Sequence, residues 1–441
     1  MEGLEQMEEM ASMVAEVIKN SHLIRVISHN DADGITSAAI ICTALLREGK
    51  IFHTTILSRL DQESIERIKP SIADSDVVVF CDMGSGQPEI LKNISNDIVV
   101  IDHHVPVGES SAKATINPHY AGIDGAIHMS ASTSAYMVAR AINPKNIDLG
   151  GLAIAGAVGD KQLFNDANGK ILEEIIENGI ISIRKGLKVG DGDIAEVLMN
   201  SVEPYLDITG DKNKIENFIE ILGVSGDIEK LDEDKTKKLT SAIALKLTKR
   251  ASPEAIDATI GDIYLLNNEI VKNVYDLVDI ANCCGKLDKA SLALSVCMGD
   301  ESALPEALQI TKEYKSKLVQ IIQNAESLVK EKSAIRYIIA DDMEATGIIA
   351  GTLIRYVYPD MPLVTLNRVE DVVKVSGRGT RALVNKGLDL AASMREAAVS
   401  VGGTGGGHNI ASGAAIPPEK EEEFLKILDG ITAKQLGGIK S

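Results

Sequence analysis

Apolar residues along the first part of the chain fall into two alternating patterns. Short runs rich in β-branched residues, such as 23–28 and 98–104, are typical of strands that are buried on both faces. Between such runs, longer stretches such as 35–49 and 130–142 repeat their apolar residues with the period of a helix. Strands that alternate with helices at this spacing predict a parallel, doubly wound sheet.

The rest of the chain changes pattern twice. From about 165 to 330 the apolar spacing is mostly helical, and it predicts one long helix that begins near Pro305. Beyond 330, strand and helix patterns alternate again. We therefore predict an α/β fold in three parts. They are an N-terminal doubly wound parallel-sheet domain (1–165), a mostly helical middle region with a connector helix (166–330) and a smaller C-terminal α/β domain (331–441).

Length and charge limit the classes of function. The 441 residues, of which 45% are hydrophobic, are enough for two or three domains with their own cores. A formal net charge of −19 argues against a broad basic surface that grips duplex nucleic acid. Any polyanion must therefore be bound by a local basic segment. The segment Val372–Leu388 fits this role, because it contains Lys374, Arg378, Arg381 and Lys386 and no acidic residue.

Targeting and redox signals lead us to expect a cytoplasmic protein. The apolar runs are far shorter than a membrane span, and the acidic start MEGLEQMEEM differs from the basic start of a signal peptide. The five cysteines include no C-x-x-C pair, so the sequence indicates neither a zinc knuckle nor a disulfide framework. We expect five free thiols and no association with a membrane.

Acidic residues and histidines follow four of the predicted elements. The stretches HNDADG, CDMG and IDHH end predicted strands and GDKQ ends a predicted helix; together they contribute His29, Asp31, Asp33, Asp82, Asp102, His103, His104 and Asp160. Because the carboxyl ends of parallel strands meet at one edge of a sheet, we expect these side chains to lie together. Taken alone, HNDADG is more typical of a solvated turn, and it lacks the later ligands of a calcium loop.

A cluster of this kind predicts bound cations. Five carboxylates at one edge would repel one another unless cations neutralised them, and a single ion cannot accept so many ligands. Oxygen and imidazole ligands suit Mn²⁺ or Mg²⁺ rather than a thiolate zinc site. Two such ions activate a water and stabilise the leaving oxygen of a phosphoryl ester, so the predicted chemistry is phosphodiester hydrolysis.

The paired histidines constrain the ligand set further. Neighbouring residues of a strand point to opposite faces, so at most one of His103 and His104 is predicted to be a metal ligand unless the strand has already ended. The other imidazole is then free to contact a phosphate. In isolation, a buried histidine satisfied by ordinary hydrogen bonds is the alternative.

Two motifs of the C-terminal part are candidates for binding phosphate. The glycines of GGTGGGH expose backbone amides that can cradle a phosphate, although such a run can also be a flexible linker. In SGRGTR, an arginine is well placed for a bidentate phosphate contact, although a lone arginine is usually a surface residue. The candidate substrate-binding residues are Ser376, Arg378, Gly405, Gly406, Gly407 and His408.

This ordered set of motifs resembles the DHH phosphoesterase family, specifically its RecJ-like branch. Motif one corresponds to HNDADGITS, motif two to Asp82, motif three to Asp102 with its two histidines and motif four to Asp160. SGRGTR and GGTGGGH resemble the arginine and Gly-Gly-Gly-His motifs of the DHH-associated C-terminal domain. The middle region lies outside these motifs, but this domain order is most similar to archaeal RecJ homologues.

The resemblance implies roles for individual residues. It implies a manganese pair held by Asp31, Asp33, Asp82, His103 and Asp160, with Asp82 bridging the two ions. It also implies that His104 contacts the scissile phosphate and that Arg378 and His408 hold the substrate. Many relatives have a histidine four positions before the first motif-one aspartate, where this chain has Ile27 and instead has His29 two positions before it. Which imidazole completes the first metal site is therefore left open.

Three functions are compatible with these predictions. The leading hypothesis is a two-metal exonuclease on single-stranded DNA or RNA, with Mn²⁺ preferred and Mg²⁺ possible, that works in replication or repair and cleaves between two domains. A phosphodiesterase for short oligonucleotides or cyclic dinucleotides is the alternative within the same chemistry. The alternative of another class is a replication scaffold that binds the GINS factor, as the resemblance to RecJ-like proteins implies.

Overall fold

The structure is a computed structural model that describes residues 2–437. Its N-terminal elements are α1 (Glu2–Asn20), β1 (Leu23–His29), α2 (Ala32–Arg47), β2 (Ile51–Leu57), α3 (Gln62–Ile72), β3 (Val77–Cys81), α4 (Pro88–Leu91), β4 (Asp97–Ile101), β5 (Ala114–Ile116), α5 (Ala131–Ile142) and α6 (Gly150–Gly159). The first four strands alternate with helices, as the apolar pattern predicts, whereas β5 was not predicted and follows β4 with no helix between them.

The middle of the chain is mostly helical but includes two strands. Its elements are α7 (Ala167–Glu177), β6 (Ile181–Leu187), α8 (Ile194–Met199), α9 (Lys212–Leu222), α10 (Glu233–Leu247), α11 (Pro253–Thr259), β7 (Ile260–Leu266), α12 (Val274–Lys286), α13 (Ala290–Cys297) and α14 (Leu304–Glu326). The helix predicted after Pro305 is α14. Strands β6 and β7 pair as a two-stranded sheet that the helical spacing did not reveal.

The C-terminal elements form a second α/β unit. They are β8 (Lys330–Glu331), β9 (Arg336–Asp341), α15 (Thr346–Tyr356), β10 (Leu363–Val369), β11 (Val372–Arg378), α16 (Arg381–Asn385), α17 (Leu390–Ser400), β12 (Thr404–Gly407), β13 (Ala411–Ile416) and α18 (Glu421–Gln435). Four short 3₁₀ turns complete the described chain, at Pro118–Ala121, Pro144–Leu149, Ile228–Lys230 and Pro418–Lys420.

The N-terminal sheet is parallel throughout and has the strand order β2-β1-β3-β4-β5. All five residues of β3 are buried, as expected for a strand covered on both faces. The chain reverses its direction of winding between β1 and β3, and in open α/β sheets ligands bind at the carboxyl ends of the strands beside such a switch point. The predicted doubly wound parallel sheet is therefore confirmed, and its functional edge is defined.

Two predicted boundaries are wrong at this edge, for the same physical reason. The strand predicted over 98–104 ends at Ile101, because the carboxylate of Asp102 accepts hydrogen bonds from the backbone amides of His103 and His104. Helix α2 begins before Gly34 because Asp31 caps it and accepts a hydrogen bond from the Gly34 amide at 3.0 Å. Local side-chain bonds thus replace regular structure where the polar residues cluster.

The C-terminal sheet is mixed, with the order β12-β13-β11-β10-β9-β8. Strands β9 and β10 are parallel, whereas the pairs from β10 to β12 are antiparallel. One face packs under α17 and α18 in an apolar core that includes Met394 and Phe424. The glycine-rich stretch, for which a linker was an alternative, is the edge strand β12.

The described chain divides into two compact units. The first contains residues 1–184 and 262–312, and the second contains residues 185–261 and 313–441. Helices α12 and α13 contribute buried residues to the main core of the first unit, among them Leu277 and Ile280, so the predicted middle region 166–330 is shared between the units. The three-part division of the sequence remains a proposal. No helix formed by residues 2–437 is long and apolar enough to cross a membrane.

Candidate metal centre and anion-binding face

The carboxyl edge of the parallel sheet brings together the side chains that the sequence singled out. β1, β3 and β4 end directly before them, and α6 delivers the last one at its C-terminus. Their donor atoms form three overlapping groups in which all atoms lie within 4.8 Å of one another: His29, Asp31 and Asp82; Asp33, His103 and Asp160; and Asp82, His103 and His104.

The first group is centred on His29. Its Nδ1 lies 2.9 Å from Oδ2 of Asp31 and 3.3 Å from Oδ2 of Asp82. The Asp31 carboxylate is fixed by its role as the cap of α2, which leaves its second oxygen facing His29. The histidine two positions before the first motif aspartate therefore lies inside the cluster, whereas Ile27 is buried in an apolar core.

The second group is centred on Nε2 of His103. This atom lies 3.3 Å from Oδ1 of Asp82, 3.3 Å from Oδ2 of Asp160 and 3.8 Å from Oδ2 of Asp33. Asp33 is fully buried, and its oxygens accept hydrogen bonds from the Ala131 and Ser132 amides at the N-terminus of α5. The N-terminus of that helix therefore fixes the position of the Asp33 side chain.

Asp82 belongs to the first and the third group, and its Oδ1 also lies 3.3 Å from Nε2 of His103, on which the second group is centred. Its side chain is only 2% exposed, and its backbone has a φ of 56°, a left-handed conformation that a non-glycine residue rarely adopts. Its Oδ1 is buried and has no hydrogen-bond partner within residues 2–437. A strained, buried and incompletely bonded carboxylate between two sets of ligands is the feature expected of a group that binds a cation.

The second nitrogen of His103 is held by residues that the sequence reasoning missed. Its Nδ1 lies 2.7 Å from the carbonyl oxygen of Gly125, which also accepts a hydrogen bond from Nε2 of Gln162 at 2.8 Å. Asn168 in turn donates to Oε1 of Gln162 at 2.7 Å. The arrangement assigns the proton of His103 to Nδ1 and leaves Nε2 free for a metal. Gln162 follows motif four directly, but Gly125 has no sequence signal.

Asp102 differs from the other acids of the cluster. Its Oδ2 accepts from the Ser85 amide at 2.9 Å, and its Oδ1 faces Nδ1 of His104 at 2.8 Å. Both oxygens are therefore engaged within the protein, and Asp102 lies outside the three ligand groups. His104 is 57% exposed, so its remaining nitrogen is the imidazole atom most accessible from solvent.

The pKa values of the acids and histidines in the cluster depend strongly on one another. Burial raises the pKa of Asp82, as does the charge of Asp31, and the net value is about 6 despite the opposing effect of the neighbouring histidines. Burial lowers the pKa of His29, but the hydrogen bonds and charges of Asp31 and Asp82 outweigh it and raise the pKa to about 10. Burial also raises the pKa of Asp160 well above its ordinary value. Without cations, protons must therefore balance these acids.

Helix α12 supports the loop that carries Asp31 and Asp33. Oδ1 of Asn282 accepts from the Ala32 amide at 3.0 Å, and the Gly285 carbonyl accepts from Nδ2 of Asn30 at 3.0 Å. A Cβ on Gly285 would come within 1.7 Å of the Asn30 carbonyl oxygen, so only glycine permits this approach. The middle region, in which the sequence showed no chemistry, therefore positions Asp31 and Asp33.

The C-terminal sheet carries an open face on the side opposite α17 and α18. Directly opposed residues share a face, and the strand register places nine residues together there. These residues, which we call the open face, are Lys374, Ser376 and Arg378 on β11, Ala411, Gly413 and Ala415 on β13, and Thr404, Gly406 and His408 at β12. All nine are exposed or half-exposed.

The predicted substrate-binding residues divide between the two faces. Ser376, Arg378, Gly406 and His408 belong to the open face, whereas Gly405 and Gly407 belong to the covered face. A Cβ on Gly405 would lie 2.7 Å from the Met394 carbonyl oxygen, so packing against α17 explains that glycine. The register does not bring all three glycines to one surface.

The arginine of the open face lies beside the N-terminus of α15. Nη2 of Arg378 is 2.8 Å from the position that a Cβ on Gly347 would occupy, and Oγ of Ser376 is 3.2 Å from Oγ1 of Thr346. The helix has no side-chain cap. Within the described chain, Arg378 has no acidic partner, and its Nη1 donates a hydrogen bond to the adjacent Gly377 carbonyl. A cation and an uncapped helix N-terminus together are suited to an anion.

Comparison with known families agrees with this geometry. A model of the "DHH family, N-terminal domain" matches residues 23–157, and a model of the "DHHA1 domain" matches residues 332–434. An uncharacterised protein of Methanocaldococcus jannaschii is 32% identical over 447 residues, which cover 99% of each chain. This chain belongs to the DHH family. The single-stranded-DNA-specific exonuclease RecJ of Thermus thermophilus is 30% identical over 109 residues, or 23% of this chain and 16% of that protein.

Solved structures show that the DHH-family fold extends over the whole chain. RecJ from Thermus thermophilus in complex with Mn²⁺ has a TM-score of 0.62 at 15% identity, covering 97% of this chain and 55% of that one. CDC45 from Entamoeba histolytica has a TM-score of 0.66 at 14% identity, covering 97% and 99%. The chain is thus a DHH-family protein with a RecJ-like fold, and it spans about half the length of the RecJ structure that it resembles.

Proposed function

We propose that this chain is a metal-dependent phosphodiesterase that degrades single-stranded DNA or RNA as an exonuclease, with Mn²⁺ preferred over Mg²⁺. The observation that carries the proposal is Asp82. It is buried, its Oδ1 lacks a hydrogen-bond partner among residues 2–437, and it lies within 3.3 Å of the imidazoles of both His29 and His103. A carboxylate so placed fits a bridge between two cations.

The donor set fits two divalent ions. One would be held by His29, Asp31 and Asp82, and the other by Asp82, Asp33, His103 and Asp160. Carboxylate oxygens with one imidazole at each position match the ligands that Mn²⁺ accepts, and Mg²⁺ can use the same oxygens. When bound, such a pair supplies an activated water and stabilises charge on the leaving oxygen.

The chain's own residues orient the reaction. Gly125 and Gln162 fix the ring of His103, and Asp102 fixes the ring of His104 through Nδ1. We assign Asp102 to positioning rather than metal binding, because it lies outside the three ligand groups and its Oδ1 faces Nδ1 of His104 at 2.8 Å. The exposed nitrogen of His104 is then available to donate a hydrogen bond to the scissile phosphate.

The second unit supplies strand binding. Ser376, Arg378 and the N-terminus of α15 form a site for one phosphate, and the open face around it has no acidic residue. Aromatic residues make up only 3% of the chain and tryptophan is absent, so few platforms exist for stacking bases. Phosphate contacts should therefore dominate, with little preference for sequence.

A cleavage assay tests the proposal. Wild-type protein with Mn²⁺ should shorten an end-labelled single-stranded sixteen-mer, and Asp82→Ala should abolish this activity. Asp97→Ala is the matched control, because Asp97 starts β4 at the opposite end of the sheet and forms only an exposed pair with Lys113. Absence of cleavage by wild type, or equal cleavage by Asp82→Ala, would refute the proposal. A preference for dinucleotides over the sixteen-mer would favour the short-oligonucleotide alternative.

The likeness to the CDC45 fold supports one second candidate, a scaffold that binds GINS. Scaffolding and hydrolysis can coexist, because the ligand cluster is complete in this chain. Capture of purified GINS by wild type and by Asp82→Ala alike would support a scaffold role. Failure of both proteins to bind GINS would remove it.

A further inference from the structure

Two basic residues beside the anion site are not explained by a single phosphate. Lys374 belongs to the open face and is exposed, four residues before Arg378 on the same strand. Arg395 lies on α17 and is also exposed. Within residues 2–437, neither side chain forms a hydrogen bond or an ion pair.

Arg395 reaches the open face from the covered side of the sheet. Helix α17 packs on the opposite face, yet Nη2 of Arg395 lies 4.0 Å from the position that a Cβ on Gly406 would occupy. Gly406 faces the open side, so the guanidinium of Arg395 extends past the edge strand β12 to that side.

The basic side chains of Lys374, Arg378 and Arg395 form a row of positive charges along the open face, which we call the track. Alternate residues of a strand are roughly 7 Å apart, so Lys374, Ser376 and Arg378 follow one another at a spacing comparable with that of successive phosphates in an extended strand. Arg395 lies two strands away, roughly 10 Å to the side. Between them, Gly413 and Gly406 have no side chains that would project from the sheet. Apart from Val375, no atom of the described chain lies within 4 Å of a Cβ placed on Gly413.

We propose that Lys374 and Arg395 extend the site at Arg378 into a track that holds several consecutive phosphates of a single strand. The inference rests on the proposed function and sharpens its substrate class, because a track of this kind favours an oligonucleotide over a dinucleotide. The phosphate next to Arg378 would be the anchor, and the two further cations would act only on longer strands. The low glycine surface would let the sugar-phosphate backbone lie against the sheet.

The experiment compares binding of strands of two lengths by the full-length protein. Anisotropy of a labelled sixteen-mer is measured in EDTA over a range of salt concentrations for wild type, Lys374→Ala, Arg395→Gln and the double variant. Lys426→Ala is the matched control, because Lys426 is an exposed, unpaired lysine of α18 on the covered side of the unit. Hydrolysis of a 5′-phosphorylated dinucleotide with Mn²⁺ is measured in parallel.

The track predicts a specific pattern. Each single variant should reduce the slope of log affinity against log salt by about 0.7, and the double variant should bind the sixteen-mer roughly ten-fold more weakly. Dinucleotide hydrolysis should change less than about two-fold, because only the anchor phosphate is used. Gly413→Val, which places a side chain in the track, should also weaken binding of the sixteen-mer without changing its salt slope.

Two outcomes would overturn the inference. Variants that match Lys426→Ala in affinity and salt slope would show that Lys374 and Arg395 are ordinary surface residues. A wild-type protein that fails to bind the sixteen-mer would do the same, even if it hydrolyses the dinucleotide. A protein that binds the sixteen-mer through these residues but cleaves nothing would retain the track and refute only the proposed hydrolysis.

Discussion

The metal centre of the first unit and the open face of the second differ in almost every physical respect. The proposed metal ligands are carboxylates and imidazoles that are buried or half-buried, and bonds from the protein fix them, as when Asp33 accepts two backbone amides of α5. The open face is basic and accessible, and Arg378 and Lys374 have no acidic partner within the described chain.

The difference teaches how work is divided between the units. A buried cluster of acids attracts cations and sets the rate of a reaction, because small changes in its geometry alter the reacting atoms. An exposed basic surface selects and holds a polyanion. Changes in the first unit should therefore lower kcat and metal affinity, and changes in the second should raise KM.

The largest effect is expected for the acid shared by both metal positions. Asp82→Ala removes a ligand from each ion, with a loss of several kcal/mol of transition-state stabilisation, which corresponds to on the order of 10³-fold or more in kcat. Titration with Mn²⁺ should show loss of binding at the same time. Normal manganese binding by Asp82→Ala would contradict the assignment of metal binding to this cluster of the first unit.

The matching change in the second unit is Arg378→Ala. Loss of a charged hydrogen bond to phosphate is worth roughly 1.5–3 kcal/mol, so KM should rise about 10- to 150-fold. Affinity for Mn²⁺ should stay as in wild type. Arg378→Lys should restore only part of the loss, because lysine lacks the planar fork. An unchanged KM in steady-state kinetics would show that the face does not bind substrate.

A smaller effect is expected for the residue that orients His103. Gln162→Leu keeps the size of the side chain but removes its donor to the Gly125 carbonyl, and it removes the shorter of the two hydrogen bonds that Asn168 Nδ2 donates. Loss of such a supporting bond typically lowers metal affinity or activity by about 10- to 100-fold. Excess Mn²⁺ should recover much of the activity. The exposed Gln62→Leu is the control, and equal manganese affinities in the two variants would contradict the role of Gln162.

The cluster also predicts how pH changes the effect of metal on stability. The pKa of Asp82 is raised to about 6, so its favourable contribution is complete below its unfolded value near 4 and is lost as pH rises through about 6. Bound cations compensate for this loss and displace the proton of His29. Saturating Mn²⁺ should therefore raise Tm by about 5–10 °C near pH 8 and by much less near pH 5. A shift that is larger at pH 5 in scanning calorimetry would contradict this sign.

The smallest effect is expected where α12 supports the loop that carries Asp31 and Asp33. Asn282→Ala leaves the buried Ala32 amide without its acceptor, which costs about 1 kcal/mol. Metal affinity should fall a few-fold. Asn178→Ala, at an exposed helix end of the same unit, is the control. Identical metal affinities of Asn282→Ala and Asn178→Ala would show that α12 does not position the loop. In that case, a fragment limited to residues 1–165 would be expected to bind metal normally.

Much of this architecture could be predicted because it depends on patterns that are local in sequence. The buried run of β3 and the polar residues at the end of β1 and β4 were sufficient to predict a parallel sheet with acids at its carboxyl edge. The order of the motifs was sufficient to predict the family. The joint placement of Asp31, Asp82 and His103 follows from these two facts.

The parts that the sequence did not reveal depend on contacts between distant residues. Nothing near Asn282 or Gly285 indicates that they support a loop far away in the chain, because an amide acceptor and a close-packed glycine leave no periodic signal. Similarly, only the strand register separates Gly406 from its neighbours Gly405 and Gly407. Strand pairing and helix packing, rather than composition, decide these positions.

The central claim is that the acid cluster of the first unit is a site for two divalent cations joined by Asp82. Anomalous diffraction from crystals of the wild-type protein soaked in Mn²⁺ tests it most directly. The account predicts two manganese peaks, one bounded by His29, Asp31 and Asp82 and the other by Asp33, His103 and Asp160, with the Asp82 carboxylate between them. No peak at this edge of the sheet, or a single peak that does not contact Asp82, would contradict it.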